Sequence, residues 1–448
     1  MAETASHKFD RAPNKTVVGL AFPVLLSLIA EPLTGSVDTG FVASLGAPPL
    51  AALGVGTVVL SSAFWIFNFL GVGTQTQVAQ AQGSGQSERG AALVGMAMTM
   101  AVGFGLALIA IGWWLARHAA TAMGATGEVA ALTEVYIQYR LLGAPAVLLA
   151  HVAFGALRGL QDMRTPMWVA FVINGLNLAL DPLFIFGWGF VPAMGVKGAA
   201  LASALSYWVG AAWALLAVYR RFGRPAGLQA QDARLLVRIG GDLFIRTGLL
   251  SFFLLLTTRA ATQMGADGGA AHQAVRQVWM FTALFLDAFA ITGQSLAGYY
   301  LGAKRIDGAR AVARVVCLWS LGAGLALLAA MLAGEGIVAR LLVPETALPF
   351  FSGAWLMAAL FQPINALTFA TDGLHWGSGD FRYLRNAMIV VTALGAGLLF
   401  FVDISRPDAL LWIWAATGVW IVVRAGFGIA RIWPGVGDSP YNSKTPPR

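Results

Sequence analysis

The chain has 448 residues, 58% of them hydrophobic and only 11% charged, with a formal net charge of +8. Soluble domains carry about 25% charged residues, so water is not the solvent of most of this surface and the chain reads as a polytopic membrane protein. The single cysteine, Cys317, excludes an internal disulfide and a cysteine metal site.

In chain order, the opening MAETASHKFDRAPNK is polar and lacks a short apolar core with a cleavage site. Residues 1–15 are therefore expected to be a disordered cytoplasmic tail, not a cleaved signal. The first apolar stretch, 16–43, is long enough to cross a bilayer, which takes about 20 apolar residues. It nevertheless holds Glu31, Asp38, Pro23 and Pro32. A charge at membrane depth costs on the order of 2.5 kcal/mol or more, and an internal proline removes a helix hydrogen bond. A segment that only anchored the chain would carry none of these. Asp38 reads as a proton- or cation-binding group on a bendable helix, or as a carboxylate solvated by the loop at 44–49. Glu31, two turns earlier on roughly the same face, reads as a functional acid or as a buried, neutral, hydrogen-bonded one.

Eleven further apolar stretches follow, at 50–80, 90–116, 129–157, 166–189, 195–219, 236–263, 270–301, 309–333, 346–376, 384–402 and 408–431. The fifth stretch of the chain contains NGLNLALDP, with Asn174, Asn177, Asp181 and Pro182. Asn177 and Asp181 share a helix face, and Pro182 frees a backbone carbonyl beside them. Carboxylate and amide oxygens suit Na⁺, a hydrogen-bonded proton, or a polar clamp between helices. The basic, Gly- and Pro-containing connection at 219–238 divides the chain nearly in half. The expected organisation is an N-lobe at 16–219, a cytoplasmic linker at 220–235, a C-lobe at 236–431 and a cytoplasmic tail at 432–448.

The halves read as copies. TGFVASLGAPPLAALG from Thr39 aligns without gaps over TRAATQMGADGGAAHQ from Thr258, through to Gln86 and Arg305. Gly46 then lies over Gly265, Gln75 over Gln294 and Gly83 over Gly302; further on, Pro145 lies over Pro363, Gly155 over Gly373, Gly159 over Gly377, Asp162 over Asp380 and Arg164 over Arg382. The near-constant offset is the signal. An even number of spans per copy makes the repeats parallel, related by an axis along the membrane normal. The acids are not repeated: Asp38 overlies Thr257, Asp287 overlies Asn68 and Asp372 overlies Phe154. Arg276 or Arg246 are expected partners for mid-span Asp287, and a loop arginine for Asp372.

Of the 29 Lys and Arg, Arg117, Lys197, Arg259, Arg340 and Arg406 fall on the outer side and Arg140, Arg246 and Arg276 within spans. The rest gather in the inner loops, tails and helix ends. That is the positive-inside bias, and it orients the chain instead of forming a nucleic-acid surface. His151, His272 and His375 have no metal-ligand spacing, and HExxH, GxSxG and P-loop motifs are absent. Trp65, Phe67, Trp279, Phe281 and Phe285 either line a pocket for flat cations or face lipid and core.

EPLTGSVDTGFVASLG, LRGLQDMRTP, NLALDPLFIFGWG, LDAFAITGQSLAGYYLGAKR and TDGLHWGSGDFRYLR together carry a resemblance. The sequence is similar to the multidrug and toxic compound extrusion (MATE) family, within it the DNA-damage-inducible F (DinF) branch. The resemblance implies an all-α membrane fold of twelve helices in two pseudo-symmetric six-helix lobes forming a V. It implies a secondary antiporter that exports amphipathic, often cationic small molecules against H⁺ or Na⁺. Asp38 matches the family's first-helix acid, Pro23 its bending proline, and Asn177 and Asp181 the accompanying amide and acid. Ser203 is the nearest candidate for a sixth-helix hydroxyl, and Asp287 and Asp372 match acids of the second lobe. Asn174 is placed with this polar set, and Glu31 has no general family counterpart. Na⁺, if used, is expected at Asp38, Asn177 and Asp181. The expectation is a non-enzymatic protein of the inner membrane with cytoplasmic termini. It needs no cofactor beyond its coupling ion, no nucleic acid and no obligate protein partner. A lipid-linked precursor flippase would want a cluster of cavity cations, and a membrane enzyme a polar catalytic cluster near one face.

Overall fold

The computed structural model describes residues 7–223 and 228–442. The outer parts of the two expected tails, 1–6 and 443–448, and residues 224–227 of the expected linker lie outside the described residues.

The described chain is built from helices: α1 Lys8–Arg11, α2 Pro13–Ala43, α3 Ala47–Ile66, α4 Phe69–Gly83, α5 Ser87–Ala122, α6 Gly127–Leu141, α7 Ala144–Gly159 and α8 Arg164–Phe186. They continue as α9 Val196–Phe222, α10 Ala230–Gln263, α11 Ala266–Gly302, α12 Ile306–Leu342, α13 Leu348–Leu360, α14 Gln362–Ser378, α15 Phe381–Phe400 and α16 Ala409–Ile432. Among the described residues, ten spans are long and apolar enough to cross a membrane, and twelve if each of two bent pairs counts as one. All twelve expected stretches are matched. The spans read as continuous at 129–157 and 346–376 are each bent, by 49° between α6 and α7 and by 46° at the α13–α14 junction. Pro145 and Pro363 sit in the first turns of α7 and α14, where a missing N–H costs nothing and the preceding turn cannot continue as α-helix. Trp114, Phe190, Phe400 and Phe401 are at least 80% exposed, a surface suited to lipid or its interface rather than water.

Two compact units are present. The first is Leu26–Gly240; the second joins the residues from Gly241 onward with those up to Leu25. The expected linker thus falls inside the first unit, and α2 contributes to both. The change of unit comes just beyond Pro23 on α2.

The same backbone contacts recur within each unit at repeat-related positions. A Cβ on Gly155 would run into the Gly71 carbonyl oxygen, and one on Gly373 into that of Ala290. Gly71 and Ala290 are themselves equivalent in the repeat register. A Cβ on Gly105 would collide with Pro145 Cα, and one on Gly324 would meet Pro363 Cα at 2.7 Å. Only glycine lets these helices approach backbone to backbone, the contact that packs membrane helices. The repeat partners Asp162 and Asp380 each pair with an arginine near the end of a helix: Arg221 of α9 at 3.4 Å and Arg431 of α16 at 2.7 Å.

The segments read as tails are folded where described. Phe9 is buried. Asp10 accepts hydrogen bonds from Arg305 Nη1 at 2.9 Å, Arg305 Nη2 at 3.2 Å and Tyr300 Oη at 2.7 Å. Burial alone would raise the Asp10 pKa, but these donors outweigh it and hold the carboxyl below its ordinary range. At the other end Tyr441 is buried and donates to the Leu374 carbonyl at 2.8 Å. A lone Phe or Tyr among polar residues gives no periodic signal, so the sequence pattern hid both attachments.

Candidate functional site

The first unit encloses a cavity of about 540 Å³. Its walls come from α2, which supplies Glu31 and Asp38, and from α8, which supplies Asn174 and Asn177. Thr57 of α3, Tyr136 and Arg140 of α6, and Ser203 and Tyr207 of α9 add further polar groups, with the Phe64 ring of α3 among them. On α2 the hydroxyls around Pro32 turn back onto their own helix: Ser36 Oγ donates to the Pro32 carbonyl at 2.9 Å and Thr39 Oγ1 to Gly35 at 2.7 Å. Such back-bonding adds a second donor to carbonyls of the helix's own ladder, and it favours bending.

Asp38 and Asp181 meet side chain to side chain, close enough to share a hydrogen bond. Asp181 is fully buried and Asp38 partly so. Asn177 Nδ2 donates to Asp181 Oδ1 at 3.2 Å, as the i, i+4 spacing on α8 predicts. Asp38 Oδ1 and Asp181 Oδ2 remain buried with no donor among the described side chains. Two ionised carboxylates can only accept, so contact between them calls for a shared proton or a shared cation.

Glu31, read as a neutral buried acid or a functional one, is exposed and lines the cavity. Asn174 also lines it but donates to Ala170 on its own helix at 2.8 Å. Ser203 lies at the wall, 9% exposed. Of the five candidate aromatics, Trp65 lines this cavity, while Phe67 packs on Phe104 with ring centroids 5.0 Å apart and Trp279 belongs to a buried cluster of the second unit.

The acids of the second unit have a different setting. Asp372 is buried and accepts from both Arg246 and Arg424. This corrects the expectation of a loop arginine: both partners lie on helices. Arg424, read with the helix-end bases, is buried and stacks over Trp420 at 5.2 Å. Arg246, offered as a partner for Asp287, is instead closed onto Asp372 and stacks over Trp376 at 5.3 Å. The Asp287 charge acts on Arg424. Half-buried Arg276, the other suggested partner, keeps a buried Nε without a hydrogen-bond acceptor.

The MatE family model matches residues 23–183 and 243–401, most of the chain and most of both units. The chain belongs to the MATE transporter family. Protein DETOXIFICATION 44, chloroplastic, of Arabidopsis thaliana is 30% identical over 95% of this chain and 84% of its own length. DNA damage-inducible protein F of Escherichia coli (strain K12) is 28% identical over 95% of this chain and 93% of its own. A crystal structure of MATE in the bent conformation has the same fold, with a TM-score of 0.84 at 21% identity over 95% of this chain and 96% of that one.

In this MATE chain, the sequence singles out Asp38, Asn177 and Asp181, which the structure brings together beside the cavity, but assigns nothing to Tyr136, Tyr207, Thr57 or Arg140. A signal for Arg140 was available, because an arginine inside an apolar span is a functional candidate by default.

Proposed function

We propose that this MATE protein is a proton-coupled exporter of amphipathic small molecules and that its coupling proton is held between Asp38 and Asp181. The observation that carries the reading is the contact of two carboxyls, each with a buried oxygen lacking a donor, beside the cavity. Asn177 donates to Asp181 through Nδ2, which supplies one donor to the pair and leaves the other oxygens for a proton. The closure of two guanidiniums on Asp372 speaks against a cation site in the second unit. We assign Asp372 and Asp287 to holding arginines, and Asn174 and Ser203 to the cavity wall.

In this scheme a cationic group of the substrate and protons compete for the same pair. The reciprocity of linkage then makes each expel the other, provided the two transport states differ in their affinities. Pro23 on α2 is the proposed bending point. The basic inner loops support cytoplasmic termini, and an inner-membrane setting is part of the proposal. Relatives named as probable multidrug resistance proteins, such as one from Shewanella oneidensis at 25% identity over 93% of this chain, support export as the direction.

Binding of ethidium to purified protein in weakly buffered detergent should release protons. Asp38→Asn should abolish that release while the protein stays monodisperse. Ethidium binding with no proton release in the unsubstituted protein would refute proton coupling at this pair.

A further inference from the structure

Arg140 is a cavity charge that the coupling scheme leaves unused. It lies at the end of α6, just before the bend at Leu142 and Gly143 that leads into α7. Its guanidinium packs on the rings of Tyr207 and Phe64, at 5.0 and 5.6 Å from their centroids. The Tyr207 hydroxyl interacts with both Arg140 and Glu31, and the Arg140 charge acts on Asp38. Yet Nη1 is buried and has no hydrogen-bond partner. Among the described residues Arg140 forms no salt bridge, whereas Arg246 and Arg424 are both closed onto Asp372. An arginine present only to balance the cavity acids would close onto one of them in the same way. Here two aromatic rings bracket the guanidinium, no carboxylate closes on it, and the half-buried side chain lines the cavity, an arrangement that can receive a carboxylate from a ligand.

We propose that Arg140 is an anion subsite of the transport cavity, taking the carboxylate of a zwitterionic amphipathic substrate whose cationic group sits at Asp38 and Asp181. This rests on the export reading above and gives it a substrate class. A purely anionic ligand is disfavoured by linkage. It would neutralise the positive charge that acts on Asp38 and so bind together with the proton, not against it. A zwitterion keeps a cationic group that competes with the proton and adds a second point of attachment that fixes its orientation. The cavity's approximately 540 Å³ admits a ligand of drug size.

The test uses the full chain in detergent at neutral pH and two dyes with one ring system: rhodamine B, which carries a carboxylate, and its ethyl ester, which does not. Fluorescence anisotropy gives both affinities. Rhodamine B should bind about tenfold more tightly than the ester, the order expected for a charge-assisted bidentate pair. In Arg140→Gln that ratio should fall to about one, and Arg140→Lys should keep part of it. The ratio in the unsubstituted protein needs no variant, so misfolding of a substitution does not shelter the claim. Equal affinities in the unsubstituted protein, or a ratio unchanged by Arg140→Gln, would overturn the assignment. Both dyes weakened by one common factor would also overturn it, since that marks a structural arginine. If the ester binds with release of protons but with no preference for the acid, only the Arg140 assignment falls. If neither dye binds, the export reading falls with it.

Discussion

Asp181 is fully buried and touches both a carboxyl and an amide. Asp181→Asn keeps the size and the polar contacts but removes the shared proton, so we expect pH-driven efflux to drop at least about tenfold while membrane abundance is kept, since positioned proton carriers contribute about 10²-fold or more. Asp372 should behave differently. Asp372→Ala leaves two buried guanidiniums facing each other, and breaking a buried pair in this way costs about 3–5 kcal/mol. The check is a thermal melt in detergent, where a clear loss of stability is expected; an unchanged melt would show that the two arginines find other partners. Asp10 gives a pH dependence. Its folded pKa is lowered by Arg305 and Tyr300, so its contribution is complete above the ordinary carboxylate range and is lost as pH falls through the lower folded value. Hydrogen exchange at residues 7–12, corrected for intrinsic rates, should be slow at neutral pH and rise below about pH 4. Asp10→Asn should raise it at neutral pH. Asp38 and Asp181 were legible because a carboxylate in an apolar run is costly. The closing of Arg246 and Arg424 onto one acid was not, because Asp372 lies on α14 while those arginines lie on α10 and α16, and sequence spacing carries no distance between them.

Helix packing here rests on missing side chains. Gly155→Val would drive its Cβ into the Gly71 carbonyl, and Gly373→Val into that of Ala290. Each should destabilise by about 1–3 kcal/mol or more, with less folded protein recovered in detergent. At Gly175 on α8 an added Cβ would meet nothing within 4 Å, so Gly175→Ala should be neutral or slightly stabilising. Equal effects at Gly155 and Gly175 would deny the close approach. The twelve spans were legible from apolar run length alone. The two bends were not: Pro145 and Pro363 were visible as repeat partners, but a proline in a helix's first turn is also compatible with a straight start.

The repeat register, read from scattered identities, shows up as shared backbone contacts at Gly155 and Gly373 and at Gly105 and Gly324. The duplicated scaffold packs through the same close approaches in both units. The charges are not duplicated, and each unit has its own electrostatic character: a carboxyl pair beside a cavity in the first, an acid enclosed by arginines in the second. The folded segments at either end of the described chain escaped sequence reading because single buried residues, Phe9 and Tyr441, anchor them without periodicity. Transport by the whole molecule in liposomes tests the coupling pair most directly. Ethidium flux would be followed with a pH gradient alone, with a Na⁺ gradient alone, and again with Asp38→Asn. We expect flux that follows the pH gradient, ignores Na⁺ and disappears in the variant. Flux driven by Na⁺, or pH-driven flux that survives Asp38→Asn, would contradict a proton held between Asp38 and Asp181.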